Sequence, residues 1–136
     1  MATIQREVRV AAPAAEAWAA IRDFGAVHRR VVPGFVLDCR MEGDARVLTF
    51  ANSLVTREQL VGIDDAARRL AYRAASERLT HHNGSVQVFD GDGGNTRLVW
   101  TIDVLPDAAA PAIRAMVEQG AAAMQRALGA PPQESI

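Results

Sequence analysis

Residues 106–128 read PDAAAPAIRAMVEQGAAAMQRAL, and Ile113, Met116, Val117, Gly120, Met124 and Leu128 recur there at spacings of three and four. That period lines one face of an α-helix, while Arg114, Glu118, Gln125 and Arg126 fall on the other side. The stretch predicts one long amphipathic helix, with Asp107 as a cap or Pro111 as a first-turn proline as alternative starts. Gly120 lies on the apolar stripe although mid-helix glycine costs about 1 kcal/mol relative to alanine. Its place there points to room for a ligand or to a closely packed strand. The following APPQESI, residues 130–136, predicts a frayed tail.

Upstream of this helix the period changes to two. From Phe35 to Val104 short alternating runs are punctuated by turn chemistry at Glu42-Gly43-Asp44, Asn52-Ser53, Asp64-Asp65, Asn83-Gly84 and Asp90 to Asn95. The predicted strands are Phe35–Met41, Arg46–Ala51, Leu54–Ile63, Leu70–Ser76, Ser85–Phe89 and Thr96–Val104. Thr3 to Ala11 adds a seventh, with Ile4, Val8 and Val10 on one face and Arg6 as a blemish among them. After it, Pro13 opens a short helix on which Ala14, Trp18 and Ile21 share a face, and a second short helix or turn spans Ala26 to Val31 before Pro33-Gly34. Hairpin spacings with segregated helices give an α+β class: a curved, seven-stranded antiparallel sheet closed by the long helix. Such an arrangement encloses a space, either filled by side chains or left as a pocket.

The 136 residues suit one domain spanning 1–136, with 49% hydrophobic and 23% charged residues. Basic and acidic residues nearly cancel to a formal net charge of -1, and every basic side chain is arginine. No bulk field draws the chain to nucleic acid or an anionic membrane, and no lysine exists for Schiff-base or P-loop chemistry. Cys39, the single cysteine, excludes an intramolecular disulfide. Arg6, Glu7 and Arg9 interrupt what a signal peptide would need, and no stretch approaches the ~20 apolar residues of a membrane span. The expectation is a cytoplasmic protein without stable membrane insertion.

The segments VAAPAAEAWAAIRDFGAVHR (10–29), CRMEGDARVLTFAN (39–52), REQLVGIDDAARRLAYR (57–73) and GNTRLVWTIDV (94–104) precede the C-terminal helix. Together they resemble the START-related SRPBCC superfamily, in its polyketide cyclase/dehydrase-like branch. The most telling pieces are AP..E.W..I.DF at 12–24 and E..V..D...RRL.Y at 58–72. The resemblance implies the helix-grip fold, a sheet wrapped around the long C-terminal helix, with a hydrophobic cavity that family members use for lipids, aromatic polyketides and other apolar ligands. None of these motifs is a catalytic signature.

Strand phasing puts Glu58 on the face of Leu60, Tyr72 with Leu70, and Trp100 with Leu98 and Ile102, all looking into the enclosed space. A carboxylate among apolar walls suits general acid or base work, and a tyrosine hydroxyl can orient a carbonyl. The alternative for Glu58 is a salt bridge to an arginine or a place at the wet rim. His81 and His82 are adjacent on a strand and point to opposite faces, which rules against joint metal binding and either sends His82 inward or leaves it a rim residue close to a turn. His28 lines an entrance with Phe24 and Phe35, or else ends a solvated, arginine-rich helix. Phe50 and Trp100 are aromatic walls, and Trp18, Leu60, Met116, Val117, Gly120 and Met124 complete the expected lining. No metal or cofactor is expected, and Cys39 has no neighbouring base that would make it a nucleophile.

Three functions follow. The first is binding of a small hydrophobic ligand between sheet and helix, which requires an interior pocket of roughly a few hundred Å3. The second is a polyketide cyclase- or dehydratase-like enzyme in which Glu58, Tyr72 and His82 handle protons. The third is an interaction module, for instance a homodimer through an exposed sheet edge.

Overall fold

The alternation of Ile4, Val8 and Val10 inward with Gln5, Glu7 and Arg9 outward builds β1, Ala2–Val10, in a computed structural model that describes residues 1–131. Pro13 turns the chain into α1, Ala14–Arg22, whose Glu16 and Arg22 suit the helix dipole and whose Ala14, Ala17, Trp18, Ala20 and Ile21 are buried. A 3-10 turn at Phe24–Ala26 leads into α2, Val27–Arg30. Six strands follow as expected: β2 Val36–Glu42, β3 Ala45–Phe50, β4 Val55–Asp64, β5 Arg69–Ala75, β6 His81–Asp90 and β7 Thr96–Leu105. A further 3-10 turn at Asp107–Ala109 runs into α3, Ala110–Leu128, with Pro111 in its first turn and no side-chain cap from Asp107. The tail expected at 130–136 lies, beyond its first two residues, outside the described residues.

All neighbours in the sheet are antiparallel, in the order β1-β7-β6-β5-β4-β3-β2. Register shifts at Val36/Asp38 and at Leu60/Gly62 mark bulges, which increase bend and twist and help the sheet curl around α3. The inner face joins α1, α2 and α3 in one core that includes Val8, Val10, Trp18, Phe24, Phe50, Leu70, Leu98 and Met124. A smaller cluster of Ile4, Ile102, Val104, Ala110 and Val117 seals the start of α3. Arg6 is accommodated at the edge strand by an ion pair of 2.7 Å to Glu118 on α3. Leu37, Leu54, Val55 and Val61 are exposed large hydrophobics.

One expected turn is corrected. Asn83-Gly84 is not a loop but lies inside β6, which begins at His81 and pairs along its length with β7. The glycine serves a close approach: a Cβ at Gly84 would lie 2.2 Å from Tyr72 Cζ, because the ring of its cross-strand partner lies across it. Gly84→Ala is therefore expected to displace the Tyr72 ring and destabilise the protein by about 1–3 kcal/mol, the usual cost of overpacking. Urea denaturation measures it, and adding Tyr72→Ala should cost less in this background than in the native one.

Candidate functional site

Arg46 and Glu58 face each other across β3 and β4 on the inner side of the sheet. The Arg46 Nε and Nη2 groups both donate to Glu58 Oε1, at 2.9 and 2.7 Å, and its Nη1 donates to the Phe24 carbonyl at 3.1 Å. The Phe24 ring lies 3.8 Å from the guanidinium carbon, a cation–π contact. The two charged side chains are 7% and 8% exposed, so the pair is withdrawn from water and depends on its own geometry. Glu58 Oε2 takes no hydrogen bond among the described residues.

Tyr72 is the diagonal inner-face neighbour of Glu58, because Glu58 pairs with Ala74 and Leu60 with Tyr72. Lying over Gly84, its ring crosses β6 to reach Trp100 on β7, whose indole Nε1 donates to the Tyr72 hydroxyl at 3.0 Å. Burial, reinforced by the nearby Glu58 charge, pushes the phenol well above its ordinary titration range. Tyr72 is therefore a neutral hydroxyl at any working pH, and its proton has no acceptor among the described residues. Gly120 belongs to the same construction: a Cβ there would lie 2.8 Å from the Trp100 ring and 3.4 Å from Phe35. Of the two causes offered for this glycine, the structure shows close packing on a strand residue.

These polar groups form one pole of a partly open cavity of about 80 Å3 between sheet and α3, otherwise lined by apolar side chains such as Ile21, Val31, Leu48, Leu70 and Val86. Phe35, Phe50, Trp100, Met124, Glu58 and Tyr72, all expected to line it, do so. The other expected residues stand apart from that lining. Phe24 backs the Arg46 guanidinium instead. The Trp18 indole N–H is spent on Asp65 at 2.9 Å, in a cluster with Arg22, because the α1 face that carries it packs beside the β4–β5 turn. Leu60 and Met116 pack against the core from partly buried positions, and Val117 belongs to the smaller cluster. His28 is half-buried on α2.

His82 points inward, in phase with Gly84, Val86 and Val88, with its ring centre 6.3 Å from that of Tyr72. It is not part of the cavity lining, however, and borders a separate hollow with Arg57, Arg73 and Thr80. Its Nε2 is buried without a partner among the described residues. Burial lowers its pKa below the ordinary 6.5, against an upward pull from Glu58. A depressed histidine contributes stability that is complete above the unfolded value and is lost as pH falls through it toward the folded value. Urea midpoints should therefore drop on going from pH 7.5 to 5, and His82→Gln should reduce that drop.

The volume corrects a second expectation: a few hundred Å3 was required, and the cavity walled by Phe35, Phe50, Trp100 and Met124 among others holds about 80 Å3. A larger hollow of about 950 Å3 lies on the opposite face of the sheet, but it is open and lined by Gln5, Asn83, Ser85, Gln87 and Thr101. It offers water-exposed polar groups and no enclosed chemistry. Cys39 is half-buried, with burial raising its thiol pKa, so it is not a poised nucleophile. The residue missed from sequence is Arg46. Its signal was available, since Arg46 shares the phase of Leu48 and Phe50.

Comparison with known proteins accords with this architecture. XoxI from Bacillus cereus superposes with a TM-score of 0.83 at 17% identity, covering 94% of this chain and 96% of that one. A protein from Thermobifida fusca gives 0.72 at 25% identity, over 98% and 100% of the two chains. The Zhui aromatase/cyclase from Streptomyces sp. R1128 gives 0.65 at 23% identity, over 93% and 90%. No curated protein sequence matches the chain. The fold is thus the expected helix grip, which a START superfamily protein from Mycobacterium smegmatis shares. The model of the family described as polyketide cyclase / dehydrase and lipid transport matches residues 1–130, and the chain belongs to that family.

Proposed function

We propose that the protein binds a small, largely apolar molecule in the cavity between the sheet and α3, with the Arg46–Glu58–Tyr72 group at its polar pole. Family membership carries a ligand-binding or cyclase role in general. What supports the binding reading is the contrast within the cavity: apolar walls on most sides, and one pole where a buried carboxylate retains a free oxygen. A core evolved only for packing has little use for that oxygen.

The size sets limits. About 80 Å3 is roughly half the ~150 Å3 of an engineered apolar cavity that takes benzene. A ring therefore enters only if the wall yields. Met124, unbranched and flexible, and Phe35, partly buried beside the positive-φ Gly34, are the side chains placed to yield. Native mass spectrometry and organic extraction of the full chain, purified from its own host, test the proposal. A co-purifying molecule of one chemical class supports it. Protein that is empty as isolated and unchanged by a panel of small apolar compounds contradicts it.

A second reading, cyclase- or dehydratase-like turnover, is favoured by one observation: Glu58, Tyr72 and His82 all face inward from adjacent strands. In that reading Glu58 Oε2 is the base and Tyr72 donates to a carbonyl oxygen, while His82, kept neutral by burial, stands behind Tyr72 outside the cavity lining. Substrate consumption by the native protein and its loss in Glu58→Gln separate turnover from binding.

A further inference from the structure

We infer that the polar pole selects neutral ligands carrying both a hydrogen-bond donor and an acceptor, of which a phenol or a hydroxy-ketone is the simplest form, and that it rejects carboxylates. The inference rests on the cavity being the binding site. It comes from counting which hydrogen-bonding capacity is already spent. Trp100 Nε1–H donates into the Tyr72 oxygen, and the Tyr72 O–H has no acceptor among the described residues, so the unmet group it offers the cavity is a donor. Glu58 Oε1 accepts both Arg46 bonds and Oε2 accepts none, so Glu58 contributes an acceptor. Both residues line the same cavity as diagonal neighbours, roughly 7–8 Å apart at the backbone. A ligand group that satisfies both accepts from Tyr72 and donates to Glu58.

Arg46 is the rival anchor, because a guanidinium in an apolar pocket would ordinarily call for an anionic ligand. Here its charge is already matched by Glu58, one of its edges is held by the Phe24 carbonyl, and its face is covered by the Phe24 ring. An entering carboxylate would be desolvated beside a net-neutral pair and would meet the free Glu58 oxygen as a like charge. Fatty-acid-like ligands are disfavoured on this ground, whatever the length of their apolar part.

The test uses four probes of one ring size, phenol, anisole, toluene and benzoate, titrated calorimetrically into the native full chain. The same series is run on Met124→Ala, whose wider cavity relieves the steric limit. Phenol should bind about tenfold or more tighter than toluene, the return of a hydrogen bond to a charged group, with anisole between them and benzoate weakest. Tyr72→Phe and Glu58→Gln should each narrow the phenol-to-toluene ratio. Toluene binding as tightly as phenol would overturn the inference and leave the cavity proposal standing, as would benzoate binding tightest. Failure of all four probes in both proteins would overturn the cavity proposal and the inference together.

Discussion

Glu58→Ala is expected to cost about 3–5 kcal/mol of stability, the largest single effect in the molecule outside its apolar core. The substitution leaves the Arg46 guanidinium, 7% exposed, without its countercharge and held by the Phe24 carbonyl and the Phe24 and Tyr72 rings. The cost comes from the orphaned charge more than from the loss of the bond. Removing both partners should therefore do far less harm: the Arg46→Met, Glu58→Met double variant should recover most of the loss and approach or exceed native stability. Urea denaturation of the two single variants and the double variant checks this. If Glu58→Ala and the double variant prove equally destabilised, the ion pair is not the source of the effect.

Met124→Ala is the second. Met124 is 3% exposed and lies in both the core and the cavity wall, so truncation should cost about 2–5 kcal/mol while enlarging the cavity. The enlarged cavity should bind apolar rings more tightly than the native protein does. Their binding should return part of the lost stability as a rise in Tm with ligand concentration. Thermal unfolding with and without toluene measures both quantities.

The elements were legible because their periods are local. Alternation marks β1 through β7, and the three-and-four spacing of Ile113 to Leu128 marks α3. Gly84 shows where local signals mislead: Asn-Gly is a turn pair in isolation, whereas here the glycine makes space for a ring from the next strand. The Arg46–Glu58 pair depends on register between β3 and β4, which alternation alone does not specify. Trp18 lies on the buried face of α1 as its spacing implies, but the partner of its indole is Asp65, 47 residues away. The cavity's size was the least legible feature, because the rotamers of Phe35, Phe50, Trp100 and Met124 decide it.

The chain's two tryptophans provide the most direct test of whether this cavity is the binding site. The Trp100 indole N–H is bonded to Tyr72 at the polar pole, while that of Trp18 is bonded to Asp65 away from the lining. In a 15N-labelled sample titrated with phenol, or with whatever molecule co-purifies, the Trp100 indole signal should move saturably and that of Trp18 should stay in place. A bound ligand that shifts Trp18 and leaves Trp100 untouched would place the site elsewhere and contradict the proposed function.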